Sequence, residues 1–254
     1  MKNYKKVIRE RYDKQKYDGN GIINDPYAPI NSIGFYGELK AAQILKDFVN
    51  MLYESRGRKL DELKVCDCGC GDGIKTRFLA ELFGNPNQVY GVECSKNKLQ
   101  HCKNMNSFIH YEYADLTAPG AGLPFAEQFD GITAFVVFTH FARKKEILNA
   151  LENIYISLKK GGYFLWYEAD AKSHKEGNLK DTDHWGFSKR EMDQYAKRVG
   201  FKLVKEKSIY TKIPILNQPT VYLAEKVKDI SVLELLEKLP FKKNNHIRIY
   251  IREK

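Results

Sequence analysis

Apolar positions in the middle of the chain fall into short strand-like runs that alternate with helical spacing. The runs at residues 63–66 and 88–92 are separated by residues 74–83, whose apolar side chains recur every three or four positions. The alternation continues to about residue 168. It predicts a parallel sheet covered by helices on both faces. Because crossovers in such sheets are right-handed, we expect all strand carboxyl ends at one ligand-binding edge.

The flanks follow different patterns. Residues 2–16 predict an amphipathic basic helix, and residues 17–34 are dense in turn formers, which favours either a lid or a plain connector. A further helix is predicted over residues 39–52. We therefore divide the chain into an N-terminal helical cap or lid (1–58), a core domain (59–227) and a C-terminal extension (228–254). The extension is unassigned, and an added edge strand and a dimer contact are the alternatives.

A glycine-rich turn joins the first strand to the first core helix. Asp67 is followed by Gly69, Gly71 and Gly73 at every second position. Glycine permits positive φ and lets a ligand approach bare backbone, while the helix start offers unpaired N–H donors. The dinucleotide fingerprint needs a third glycine at residue 74, which is Ile, and no Gly-Lys-Ser/Thr sequence follows as in a phosphate-binding P-loop.

The spacing behind Asp67 resembles motif I of the class I S-adenosylmethionine-dependent methyltransferases. Glu93 then ends the second strand about twenty residues later, Asp115 and Leu116 follow the third, residues 129–138 open with Phe-Asp, and a glycine pair precedes the fifth. The resemblance covers about residues 60–168. It implies an α/β Rossmann-like sheet, mostly parallel, of seven strands with the last one antiparallel. Residues 201–210 and 220–227 resemble the sixth and seventh strands.

The same resemblance implies S-adenosyl-L-methionine as the cofactor and S-adenosyl-L-homocysteine as the product. Glu93 is expected to hold the cofactor ribose, and Asp115 the adenine. The cofactor-binding residues that it implies are Asp67, Gly69, Gly71, Gly73, Glu93, Asp115, Leu116 and Phe135.

The charge, apolar content and cysteines of the chain limit the ligands and the cellular location that we expect. The 254 residues carry a net charge of +10, which favours anionic ligands or nucleic acid. No apolar run reaches the length of a membrane span, no signal-peptide core follows residue 6, and we expect a cytoplasmic protein. The five cysteines lie around the predicted site without a paired framework, which favours free thiols over disulfides or a metal site.

The acceptor is narrowed by exclusion. The Asn/Asp-Pro-Pro-aromatic motif of base-amino methyltransferases is absent after the fourth strand, as is the Pro-Cys nucleophile of cytosine-carbon methyltransferases. What remains is the large small-molecule group, which includes enzymes that methylate sugars, nucleotide-linked intermediates, quinone precursors or other metabolites. Within it we expect transfer to an oxygen of a small, anionic molecule such as a sugar, a nucleotide-linked intermediate or a phosphate. The entry to the late helix, residues 184–188, resembles that of enzymes that methylate bacterial surface polysaccharides.

Catalysis at a hydroxyl oxygen needs a general base. His140 follows the fourth strand where many family members have histidine, and His184 and Tyr36 are the other candidates. In an alternative, Glu168, Asp170 and His174 hold a divalent ion; our assignment is that no metal is bound. An acceptor that is already anionic needs no base, and lysine and arginine side chains would bind it.

Two other functions stay open. The first is RNA methylation, in which the basic N-terminal helix and residues 242–252 contact phosphates. The second is a methyltransferase-like protein that binds the cofactor without turnover. A homodimer is a further expectation.

Overall fold

The structure, a computed structural model, describes residues 31–57, 59–120, 123–124, 128–141, 143–170, 186–213, 218–224, 226–227 and 229–253. The predicted helix over residues 2–16 and all but the last four residues of the predicted lid lie outside these ranges. So do His174 and His184.

A central sheet runs through the described part of the chain. Its strands are β1 (Val65–Cys68), β2 (Val89–Glu93), β3 (His110–Tyr113), β4 (Phe129–Phe135), β5 (Leu158–Ala169), β6 (Phe201–Ile213), β7 (Gln218–Pro219) and β8 (Lys243–Arg252), in the order 3-2-1-4-5-8-6-7. The first five are parallel, and β8 is antiparallel to β5 and β6 on either side of it. Apart from the two-residue β7, this is the predicted seven-stranded class I methyltransferase sheet, and that fold is confirmed.

Helices cover both faces of the sheet. They are α1 (Ser32–Arg56), α2 (Ile74–Phe83), α3 (Lys96–Met105), α4 (Lys144–Ser157), α5 (Lys189–Val199) and α6 (Ile230–Glu237). Short 3-10 helices occupy Leu60–Glu62, Pro86–Gln88, Phe138–His140 and Thr220–Leu223. A capping box begins α5, since the Ser188 and Glu191 side chains each bind the other residue's backbone N–H. None of the helices in the described ranges combines the length and apolar character that a membrane span requires.

Two apolar clusters lie on opposite faces of the sheet. One contains Phe48 and Leu52 of α1, which pack so closely on β4 that a Cβ at Gly131 would lie 2.8 Å from Leu52 Cδ1. The other contains Phe164 and Trp166 of β5 with side chains of α4 and α5. Burial of these large side chains on both faces keeps the strands in register.

The assignment of the seventh strand to residues 220–227 is wrong. Residues 220–223 form a 3-10 helix, and the antiparallel strand is β8, within the segment that was set apart as a C-terminal extension. An added edge strand was one alternative for this extension, but β8 lies inside the sheet and Arg248 is only 2% exposed. Its guanidinium is paired with Asp193 of α5 and Glu206 of β6, which offsets the cost of burying the charge.

Candidate cofactor and active site

The turn after β1 brings bare backbone to the carboxyl edge of the sheet. Gly69, Gly71 and Gly73 all have positive φ, at 66°, 59° and 77°. A Cβ at Gly69 would lie 2.7 Å from Val137 Cγ2, and one at Gly73 2.9 Å from Cys102 Sγ, so protein atoms fill the space beside both. A Cβ at Gly71 would meet nothing nearer than Lys98 Nζ at 3.7 Å. Of the three glycines, Gly71 therefore presents the most open space for a ligand.

Asp67 ties three elements together beneath this turn. Its carboxylate accepts hydrogen bonds from Thr76 Oγ1 of α2 at 2.7 Å and from Thr133 Oγ1 of β4 at 2.9 Å. Burial raises the pKa of Asp67 to about 6, although the two threonine hydroxyls favour the charged form. Asp67 thus fixes the start of α2 against the sheet.

Glu93, at the end of β2, is held by backbone donors. Its Oε2 accepts from Gly71 N at 3.0 Å, and its Oε1 accepts from the N–H groups of Cys94 and Ser95 at 2.8 Å each. These bonds fix both carboxylate oxygens and join them to the glycine turn. A carboxylate held in this way is preorganised to accept hydrogen bonds from ribose hydroxyls.

The loop after β3 is fixed by its own side chains and by α4. Asp115 Oδ1 accepts from Thr117 N at 3.0 Å and Thr117 Oγ1 at 2.6 Å. Asn153 Nδ2 donates to Leu116 O at 2.8 Å and to Ala118 O at 2.7 Å. Asp115 and Leu116 therefore sit on a backbone that is braced from two sides.

The loop after β4, residues 136–141, has an uncommon backbone. Val136 has a φ of 55°, which is rare for a β-branched residue, and its N–H donates to Tyr167 O of β5 at 2.8 Å. Phe138 N donates to Glu168 Oε1 at 2.8 Å. Strained backbone of this kind is concentrated at functional sites. The loop brings Val136, Val137, His140 and Phe141 to the same cavity as the glycine turn.

These elements enclose a cavity of about 270 Å³. It is lined by seven of the eight predicted cofactor residues, namely Asp67, Gly69, Gly71, Glu93, Asp115, Leu116 and Phe135, and by His140. The eighth, Gly73, lies behind the turn against Cys102 and Tyr111. The glycine backbone, the carboxylates of Glu93 and Asp115 and the apolar Leu116 match what a nucleoside with a charged tail requires.

The comparison with protein families agrees with this geometry. Residues 65–162 match the family model described as a methyltransferase domain. These residues are a class I methyltransferase domain. Structures of the same fold that hold S-adenosylmethionine or S-adenosylhomocysteine support S-adenosylmethionine as its cofactor. The expected family, enzyme class and cofactor are thereby confirmed. No curated protein is similar enough in sequence to count as a match.

Solved structures share the fold of this methyltransferase domain and its flanks. Geranyl diphosphate C-methyltransferase from Streptomyces coelicolor has 13% identity and a TM-score of 0.63, with 98% of each chain covered. Phosphoethanolamine N-methyltransferase 2 from Haemonchus contortus has 17% identity and a TM-score of 0.61, covering 97% of this chain and 60% of that chain. A putative sarcosine dimethylglycine methyltransferase from Galdieria sulphuraria has 14% identity and a TM-score of 0.58, covering 85% and 86%.

Tyr36 of α1 takes a different position in the methyltransferase. It is buried, does not line the cavity, and donates to Glu237 Oε1 of α6 at 2.8 Å. Burial, and then the Glu237 carboxylate, raises the pKa of Tyr36 well above its usual range, so its hydroxyl stays protonated. In this structure Tyr36 therefore joins two helices. His184, the remaining base candidate, lies outside the described residues.

Two lysines that line the cavity were not predicted as site residues from the sequence. Lys75, in the first turn of α2, pairs with Glu38 of α1 at 2.7 Å and lies 6.0 Å from the centroid of the Phe135 ring. Lys98, in the first turn of α3, lies beside Gly71. Both follow a strand and a turn, so their place at a helix start facing the ligand edge was the signal that could have identified them.

The acidic residues considered for a divalent ion have other partners. Glu168 is fully buried beneath the 136–141 loop. Asp170 pairs with Lys242 at 2.9 Å and with His246 at 3.5 Å. Within the described ranges, no three His, Cys, Asp or Glu side chains are grouped so as to hold a metal. The five cysteines are free thiols.

Proposed function

We propose that this methyltransferase moves a methyl group from S-adenosylmethionine to an oxygen of an anionic small molecule. The acceptor class is a sugar, nucleotide-linked or phosphate-type intermediate, with bacterial surface polysaccharide as the pathway that the sequence resemblance favours. The observation that supports this proposal is that His140, Lys75 and Lys98 line the same cavity as the predicted cofactor residues. An imidazole and two ammonium groups suit an acidic hydroxyl or phosphate substrate.

The residues present fit the cofactor. Glu93 would accept the ribose hydroxyls, Asp115 and Leu116 would receive the adenine, and the bare backbone at Gly71 would allow close approach of the sugar and the amino-acid chain. S-adenosylmethionine, when bound, supplies a methyl group on a positively charged sulfur. The carboxylates of Asp67, Glu93 and Asp115 line the cavity and would suit that positive charge.

The end of β4 and the loop that follows it would align the acceptor. Transfer of a methyl group between two bound molecules depends on holding the acceptor oxygen in line and on excluding water. Phe135, Val136 and Phe141 supply the apolar surface that excludes water. His140 would accept the proton of a hydroxyl acceptor as the new bond forms.

Two structural neighbours support a phosphorylated acceptor. The Streptomyces structure holds geranyl diphosphate with S-adenosylhomocysteine, and the Haemonchus structure holds phosphomonomethylethanolamine with S-adenosylhomocysteine. Lys75 and Lys98 offer the corresponding positive charges in the cavity of this methyltransferase, and the chain as a whole carries a net charge of +10. Lys75 is already paired with Glu38, so it would have to share its charge with the acceptor.

The test is calorimetric titration with S-adenosylmethionine and S-adenosylhomocysteine, followed by a product-release assay on nucleotide sugars and phosphate esters. We expect binding of both cofactor forms and turnover on an anionic library member. Binding with turnover on RNA alone, suppressed steeply by salt, would replace the small-molecule proposal with RNA methylation. Binding without turnover on either class would favour a non-catalytic protein, and no binding would overturn the cofactor assignment.

A further inference from the structure

Glu168 is a buried carboxylate that the proposed reaction does not use. It lies one residue before the end of β5, is 0% exposed, and forms no ion pair with any described residue. Its Oε1 accepts from Phe138 N at 2.8 Å and from Trp166 Nε1 at 3.2 Å, and the N–H groups of Val137 and Thr139 also favour its charged form. The hydrogen bonds from the Phe138 N–H and the Trp166 indole therefore anchor one oxygen of this buried side chain.

Phe138 belongs to the loop that forms one wall of the cavity. Val136 enters the loop with a φ of 55°, a conformation that persists only where neighbouring contacts impose it. Its N–H is bound to Tyr167 O, and Val137 packs against the bare face of Gly69, where even a methyl group would clash. Contacts from β5 on one side and from the glycine turn on the other thus hold the loop in place.

Only one of these contacts is a side chain that can be changed without touching the cavity. Val136, Val137 and His140 line the cavity, whereas Glu168 does not. Glu168 accepts the N–H of Phe138, the first residue of the 3-10 helix Phe138–His140, as a capping residue does at a helix N-terminus. His140 is the last residue of that helix, so the direction of its ring depends on how the helix is anchored.

We propose that Glu168 is a positioning residue, which anchors the 136–141 loop by accepting the Phe138 N–H and thereby sets His140 and Val137 at the cavity. This inference rests on the proposed function in that it assigns those two residues to the ligand wall. Glu168 itself touches neither cofactor nor acceptor. An oxygen that accepts the Phe138 N–H is what the role requires, rather than a negative charge at the site.

The experiment compares Glu168→Gln with Glu168→Leu. Glutamine keeps an acceptor oxygen at the same reach, whereas leucine keeps the volume and removes the acceptor. The readouts are the His140 ring signals in NMR spectra, assigned with a His140→Gln variant, and the affinity for S-adenosylhomocysteine by calorimetry. We expect E168Q to retain the His140 signals and to bind within about threefold of the original protein, and E168L to shift the signals and bind at least tenfold more weakly.

Asp130 provides a matched control. It is equally buried, but it lies near the start of β4, where it accepts from Lys64 N at 3.0 Å and pairs with Lys159 at 2.7 Å. Asp130→Asn should lower the unfolding temperature without moving the His140 signals. If E168L does not fold, Glu168→Asp, which withdraws the acceptor by one methylene, should shift the His140 signals instead.

Several outcomes would overturn the inference. E168L or E168D with unchanged His140 signals and affinity would show that the loop does not depend on this acceptor. Equal losses in E168Q and E168L would assign the effect to charge. Failure of the original protein to bind S-adenosylhomocysteine would count against the proposed function alone, because the His140 signals of the ligand-free variants still report on the anchoring of the loop.

Discussion

The two walls of the cavity are built in different ways. The wall from Asp67 to Thr117 is made by turns that follow successive strands, and the Glu93 carboxylate at the end of one strand binds the Gly71 N–H of the turn after the preceding strand, 22 residues earlier. The opposite wall is the 136–141 loop, which is held by Glu168, 30 residues further along the chain. The ligand-facing groups of the first wall are therefore recognisable from residue type and spacing, whereas the shape of the second wall depends on tertiary contacts.

The difference between the two walls determines which of their features can be predicted from the sequence. Glycines and carboxylates at the first wall are required by the ligand, because it needs bare backbone and hydrogen-bond acceptors. The second wall consists mainly of apolar residues, and its shape comes from a strained Val136 and a buried acceptor beneath it. Changes at the first wall should act on cofactor binding directly, whereas changes behind the second should act through geometry or stability.

The largest expected effect comes from breaking the first wall at its open glycine. Gly71→Val places a branched side chain in the ligand space, so we expect a loss of S-adenosylhomocysteine affinity of at least about 100-fold, or ~2.7 kcal/mol. Gly84 is the control, since its φ is 64° and a Cβ there meets nothing within 4 Å. Gly84→Val should cost stability by backbone strain and leave calorimetric affinity unchanged. Equal affinities for both variants would refute the assignment of Gly71.

The second largest effect is expected at Glu93, whose carboxylate is predicted to bind the ribose. Glu93→Ala removes the acceptor for the Gly71, Cys94 and Ser95 N–H groups along with the expected ribose contacts. We expect about 30-fold weaker binding of S-adenosylhomocysteine, or ~2 kcal/mol. Glu112→Ala, at an exposed residue of the neighbouring β3, should bind normally. Normal binding by the Glu93 variant would move the ribose away from β2.

The pH dependence of stability tests the buried acceptor behind the second wall. Burial raises the pKa of Glu168 to about 8, from an ordinary value of 4.5, so the folded protein holds a proton that the unfolded chain releases in this window. The free energy of unfolding should therefore fall as the pH rises from 4.5 to 8, by up to about 1.4 kcal/mol per pH unit. Urea unfolding at pH 6.5 and 7.5 should show a smaller fall for E168Q. Parallel changes in both proteins would contradict the shift.

The smallest effect concerns Tyr36, which lies away from both walls. Tyr36→Phe removes its hydrogen bond to Glu237, which also accepts from Thr220 at 3.1 Å. We expect the free energy of unfolding to drop by about 1 kcal/mol, with unchanged S-adenosylhomocysteine affinity. Tyr53→Phe, at a half-exposed residue of the same helix, should change neither quantity. A large loss of affinity in Y36F would bring this hydroxyl back to the site.

Sequence reasoning succeeded where the contacts are local. Asp67 and the glycines, Glu93 and Asp115 each follow a strand, and the order of strands places them at one edge without knowledge of any side-chain packing. The reasoning failed at β8, because the partners that neutralise Arg248 come from α5 and β6. It missed the backbone of Val136 as well, because valine normally avoids positive φ and tertiary contacts with β5 and the glycine turn impose it here.

The position of β8 between β5 and β6 also constrains the time course of folding. Among the described strands, β6 joins the parallel part of the sheet only through β8, which comes about thirty residues later in the chain. During synthesis the segment of β6 therefore waits for its partner while its strand edges are exposed. Lys202, Lys205 and Lys207 lie along it, and lysines on an unpaired strand oppose association with other chains. The same lysines thus protect the nascent enzyme from aggregation until its last strand arrives.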